Sequence, residues 1–99
     1  MPVVHHYPAV LERVSGGFSV SFPDFSGCTS AGDTTGQAAA QAEAALALHL
    51  DAMLEDGDLI PAPTLLEAVE RDPEIEEFAR ILVRADLSIR RAAGRMVSR

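Results

Sequence analysis

The run Phe18-Ser19-Val20-Ser21-Phe22 constrains this chain most. Apolar and hydroxyl side chains alternate strictly, and period two belongs to an extended strand, whose side chains point to opposite faces. Phe18, Val20 and Phe22 therefore go inward and the two serines outward, the pattern of an antiparallel strand with one wet face. Ser15-Gly16-Gly17 precedes it, a short loop of residues that tolerate positive φ. Upstream, Val3 to Val14 alternates more loosely, with Tyr7, Ala9 and Leu11 on one face. Two such runs around a Gly-rich loop predict a hairpin. Pro8 cannot donate to a ladder, so the first strand is expected at a sheet edge, or with Pro8 at an unpaired position.

Downstream, Pro23 to Gly27 reads as a turn and Cys28 to Ala31 as a brief third strand. Thr34-Thr35-Gly36-Gln37 fits a helix start, with Thr34 accepting from a backbone N–H and Gln37 reaching back. The body that follows is rich in alanine, the best helix former and one that lets a helix approach a sheet closely. Leu46, Leu50, Met53 and Leu54 form its apolar stripe, extended by Ala38, Ala42 and Ala45, and Gly57 is the natural stop. Leu59-Ile60-Pro61-Ala62-Pro63 predicts an extended linker, and Thr64 caps a short helix, Leu65 to Glu70. Phe78 to Leu87 ends in alternation and reads as a fourth strand, with a helix over 74–83 as its competitor. The expected class is α+β: a small antiparallel-rich sheet, β-β-β-α-β, with one main helix packed on one face. One domain spans 1–88, followed by a basic tail, 89–99.

Charge is unevenly spread. The net value is −7 and every base is Arg. Residues 1–82 carry a net −11, whereas residues 83–99 carry +4 from Arg84, Arg90, Arg91, Arg95 and Arg99 against Asp86. An acidic body suits a basic protein partner and repels phosphates. No apolar run reaches the roughly 18 residues of a membrane span, so no membrane association is expected. The N-terminus has no basic region followed by an apolar core, and the single Cys fits a reducing compartment, so a cytoplasmic location is expected.

Candidate chemistry centres on "SFPDFSGCTSAGDT", residues 21–34. Two-metal nucleases need several converging carboxylates, because two cations must be held about 4 Å apart. Asp24 in a Pro-Asp turn and Asp33 before a capping Thr have sufficient structural reasons to be there. Cys28 reads as a buried strand thiol, since His5 and His6 point to opposite faces and at most one reaches it. His49 falls amid apolar helix residues, at the core edge. Neither a metal site, a cofactor nor a catalytic set emerges.

The residues Tyr7-Pro8-Ala9, Gly17-Phe18, Val20 to Asp24 (including Phe22 and Pro23), Gly27-Cys28, Gly32-Asp33-Thr34, Ala38, Ala45, Asp56-Gly57 and Ile60-Pro61 resemble, in register over 7–64, the HicB-type antitoxin family of HicAB toxin–antitoxin systems. A looser likeness continues through 65–88. The resemblance implies a partly degraded ribonuclease-H-like fold that no longer cuts. It implies a HicA-type toxin as partner, a small basic ribonuclease that cleaves mRNA with a catalytic His, whose active surface the antitoxin covers. Asp24, Phe25 and Asp33 are taken as toxin-facing, while Gly27, Gly32 and Gly57 serve backbone geometry. A homo-oligomer, dimer or tetramer, is expected. The alternatives are a metal-dependent ribonuclease using Asp24 and Asp33, and an oligomeric ligand-binding domain.

Family members commonly continue into a helix-turn-helix or ribbon-helix-helix that reads operator DNA, for which the last ten residues, "RRAAGRMVSR", are too short. Base readout needs an element that enters a groove, whereas scattered arginines reach phosphates only. This chain alone is expected to bind its upstream DNA weakly, with no preference over a scrambled duplex at near-physiological salt. Tight binding to the upstream duplex alone, in an anisotropy titration, contradicts that expectation.

Overall fold

The computed structural model describes residues 3–87; the tail expected over 89–99 lies outside the described residues. Four strands, β1 (Val4–Val14), β2 (Gly17–Ser21), β3 (Thr29–Gly32) and β4 (Glu77–Asp86), make one sheet in the order β3-β2-β1-β4, and every neighbouring pair is antiparallel. One long helix, α1 (Thr35–Asp56), lies between β3 and β4 in sequence and packs on one face. The α+β class and its element order are those that the hydrophobic periodicity predicts.

β1 is a central strand, which corrects the edge placement expected from Pro8. The second option, Pro8 at an unpaired position, is the one realised. Pro8 sits opposite Leu82 of β4, and the Leu87 amide donates to the Val3 carbonyl at 2.8 Å. Bonded and non-bonded pairs alternate along an antiparallel ladder, so the odd-numbered residues of β4 bond to β1 and Leu82 does not. On its other side β1 pairs with β2 only over Val10–Val14, beyond Pro8. The missing N–H therefore leaves no ladder acceptor empty.

The helix-facing side of the sheet presents Tyr7, Ala9, Leu11, Val20, Val83 and Ala85, all buried. Against them α1 lays Ala38, Ala42, Leu46 and Leu50, a spacing of four that makes a single stripe. Ala45 and Met53 flank it and are partly buried, while Leu48 points to solvent. Small residues bring the start of α1 almost onto β3. A Cβ on Gly32 would stand 2.5 Å from the Ala38 amide nitrogen, so only glycine fits there.

Both helix ends are closed as the sequence predicts. Thr34 Oγ1 accepts from the Gln37 amide at 3.1 Å, and Gln37 Oε1 accepts from the Asp33 amide at 2.9 Å. At the other end Gly57 takes φ 76°. The Gly57 amide then bonds to the Leu54 carbonyl and the Asp58 amide to that of Met53, which is the Schellman arrangement.

The short helix expected over Leu65–Glu70 shrinks to a 3₁₀ turn, Leu66–Ala68, with no side-chain cap. Thr64, assigned that cap from the sequence, gives both its N–H and its hydroxyl to Asp24 instead. At 74–83 the strand prevails over the competing helix: β4 starts at Glu77, and a bulge in the β1–β4 register falls at Leu11/Glu12.

Substituting Val for Gly57 puts a β-branched residue in a left-handed conformation and is expected to destabilise by about 1 kcal/mol or more. Gly32→Ala forces backbone apart and is expected to cost about 1–3 kcal/mol. Urea unfolding midpoints indistinguishable from the parent chain would contradict both.

Candidate functional site

The turn after β2 is built from two short backbone bonds, Phe25 N–H to the Phe22 carbonyl (3.1 Å) and Cys28 N–H to the Phe25 carbonyl (3.2 Å). Gly27, at φ 86°, lets the chain reverse between them. This fold-over drives Phe25 into the core. Its ring meets Tyr7 edge-on at 4.7 Å, His49 at 5.5 Å and Phe22 at 6.4 Å between centroids. Pro23 is exposed, and Asp24 is left on the rim.

Two contacts bind the segment after α1 to this turn. The Tyr7 hydroxyl donates to the Pro61 carbonyl at 2.6 Å. Asp24 Oδ2 accepts from the Thr64 amide at 2.9 Å, and Oδ1 from the Thr64 hydroxyl. Between the turn, the last turns of α1 and the linker lies an open cleft. Asp24, Asp56 and Asp58 supply its carboxylates, and Phe25, Met53 and Leu59 its apolar wall, with His49 at its base; no Lys or Arg lines it. Leu59, 92% exposed, stands at its lip with no neighbour to cover it.

Burial sets the protonation of the two weakly acidic side chains of the core. Burial pushes the Cys28 thiol up, away from the thiolate a nucleophile needs. Burial, and then the negative charge of Asp24, push the Tyr7 phenol up as well. On the sheet's other side the hydrogen bond from Arg80 pulls Glu77 down. Arg80 also donates to the carbonyls of Leu66 (3.1 Å) and Val69 (2.7 Å), which straps the 3₁₀ turn across that face.

Of the residues singled out in the sequence, the structure brings Asp24 and Phe25 into one cleft and leaves Asp33 apart. Asp24 follows the end of β2, whereas Asp33 follows Gly32, which pairs with Phe18 near the start of β2. Four residue steps along a strand span about 13 Å, so the two carboxylates do not converge as a two-metal centre requires. Among the described residues no group of three His, Cys, Asp or Glu side chains stands close enough to hold a metal ion. Nor is any described helix long and apolar enough to cross a membrane. Sequence reasoning missed Asp56, Asp58 and Leu59, although "EDGDL" set three acids and an apolar residue around a helix stop.

A four-stranded antiparallel sheet, one covering helix and an acidic cleft at the end of that helix define a small α+β domain. The profile of the HicB-like antitoxins of bacterial toxin–antitoxin systems matches residues 7–97, and the chain belongs to that family. It is 39% identical over 82 residues to an uncharacterized 14.9 kDa protein from the rep-hol intergenic region of Haemophilus phage HP1, covering 83% of this chain and 62% of that one. It superposes on a chain of the HicA3–HicB3 toxin–antitoxin complex with a TM-score of 0.67 and 29% identity, covering 82% of this chain and 95% of that one. Antitoxin HicB of Burkholderia pseudomallei superposes with a TM-score of 0.72 and 25% identity, covering 84% of this chain and 64% of the antitoxin. The chain thus spans somewhat under two thirds of the length of the phage relative and of the Burkholderia antitoxin.

Folding keeps the Tyr7 phenol protonated beyond its ordinary range. As pH rises the unfolded chain loses that proton first, so the contribution is full below about pH 10 and falls as pH climbs through the raised value. Tyr7→Phe is expected to lower stability at pH 7 by about 0.5–1.5 kcal/mol, the net worth of a hydrogen bond. It is also expected to lose less stability than the parent above pH 10, with Cys28 responsible for the remaining fall. Equal alkaline losses in denaturant titrations would contradict this assignment.

Proposed function

We propose that this chain is an antitoxin that binds a HicA-type toxin and neutralises it by covering its active surface, without catalysis of its own. The observation that carries this reading is the superposition on a chain of the HicA3–HicB3 complex across nearly all of that chain's length. Charge agrees independently. A ribonuclease that binds RNA presents a basic surface, and residues 1–82 of this chain carry a net −11. The contact surface we propose takes in the cleft rim, where Asp24, Asp56 and Asp58 meet basic groups and Leu59 supplies an exposed apolar anchor. Phe25 supports that rim from beneath, and Asp33 extends the acidic surface at the far end of the sheet. Neutralisation of this kind takes place where the toxin meets mRNA, in the cytoplasm.

Co-expression of this chain is expected to relieve growth arrest by its cognate toxin, and the purified pair is expected to associate more weakly as salt rises. Joint charge reversal, Asp56→Lys with Asp58→Lys, is expected to slow association at least tenfold while leaving the fold intact, since both side chains are exposed. A toxin that this chain fails to relieve would contradict the proposal.

A further inference from the structure

The last described residue, Leu87, stands at the cleft end of the molecule. Its amide bonds to the Val3 carbonyl, and Ala85 lies opposite His5. His5 Nδ1 is 3.3 Å from the Tyr7 hydroxyl, which donates to the carbonyl of Pro61, a residue of the cleft wall. Residues 88–99 therefore start from the end of the sheet where α1 stops and the cleft opens. Four residue steps from Val3 to Tyr7 span about 13 Å of strand, and twelve extended residues reach about 40 Å, so the cleft is within their range.

Charge on both sides points to the same pairing. The cleft is lined by Asp24, Asp56 and Asp58 with no base beside them. Thr64 holds Asp24, whereas Asp56 and Asp58 are exposed and enter no ion pair among the described residues. Three of the four described arginines are engaged elsewhere. Arg80 is tied to Glu77 and to the Leu66 and Val69 carbonyls, and Arg84 pairs with Asp86 at 3.6 Å. Arg13 lies over the rings of Phe18 and Phe78, at the opposite end of the sheet. Arg90, Arg91, Arg95 and Arg99 all follow Leu87, with no acid among them. Ile89 comes just before the first pair of them, and the cleft offers Met53 and the exposed Leu59 as an apolar wall.

We infer that residues 88–99 dock in this chain's own acidic cleft, with Arg90 and Arg91 on Asp56 and Asp58 and Ile89 against Met53 and Leu59. Each exposed ion pair is weak by itself. The tether strengthens the set, because a short linker holds the arginines at an effective concentration on the order of millimolar. The tail thereby imitates a basic partner, and a toxin reaches the rim only by displacing it. This competition rests on the reading of the rim as the toxin surface; the docking itself does not.

Paramagnetic relaxation in the full chain tests the docking with no toxin present. Ser98→Cys carries a nitroxide, and the parent chain put through the same labelling controls for Cys28, which is buried. At low salt the label is expected to broaden the amides of residues 24–26 and 56–60. It is expected to leave Val14 sharp, since ten residue steps along β1 set Val14 about 33 Å from Val4. High salt, or Arg90→Glu with Arg91→Glu, is expected to abolish the broadening, and adding Asp56→Arg with Asp58→Arg to restore it. Sharp rim amides at low salt, broadening that survives the arginine reversal, or a double swap that fails to restore it would each overturn the inference. Equal broadening from a label on a second, isotopically silent copy places the tail on another molecule and overturns it too. Saturating cognate toxin is expected to release the label from the rim. Broadening that persists in the saturated complex leaves the docking intact but overturns the competition, and with it the reading of the rim as the toxin surface.

Discussion

Every other feature of the molecule depends on how closely α1 sits on the sheet. Ala38 and Ala42 put almost no side-chain volume between helix and strands, and Gly32 puts none. Farther along, Leu46 and Leu50 widen the gap just enough to take Tyr7, Leu11 and the folded-over Phe25. The helix is therefore tight at its start and wedged at its end. Each buried Leu or Tyr contributes about 1.5–3 kcal/mol of transfer free energy, and in a chain this short a few such residues decide whether the sheet has a core at all.

The wedged end is also where the cleft opens. Tyr7 does two things there: its ring fills the space under α1, and its hydroxyl reaches out to hold Pro61. Asp24 holds Thr64 from the other side. Together they fix the path of the linker after Gly57, and with it the positions of Asp56, Asp58 and Leu59. A residue buried in the sheet thus shapes a surface far from it in sequence. Asp24 serves as a structural acceptor and as part of the rim, so its carboxylate is already engaged before any partner arrives.

Much of this was legible in the sequence because the period was unambiguous. Phe18 to Phe22 could only be a half-buried strand, and Thr34, the Ala-rich body and Gly57 left little choice about α1. What escaped were long-range choices. Pro8 argued for an edge, yet the ladder register put its missing donor where none was needed. Thr64 looked like a local cap, but a carboxylate forty residues away competed for it with two hydrogen bonds. The acids of the cleft were visible as a helix-stop motif, while their convergence with Asp24 was not, because only the fold brings 24 and 58 together. The resemblance to HicB-type antitoxins reached the family directly, through turns and helix ends more than through chemistry.

A degraded-nuclease resemblance, a family of antitoxins and an acidic cleft lead to one central claim: this domain acts by occupying a partner's surface with its own cleft rim. Hydrogen–deuterium exchange of the chain, alone and with equimolar cognate toxin, tests it most directly. The account predicts that the toxin slows exchange at residues 24–26 and 52–61. Slowed exchange elsewhere in the domain with no change in those two segments would contradict it.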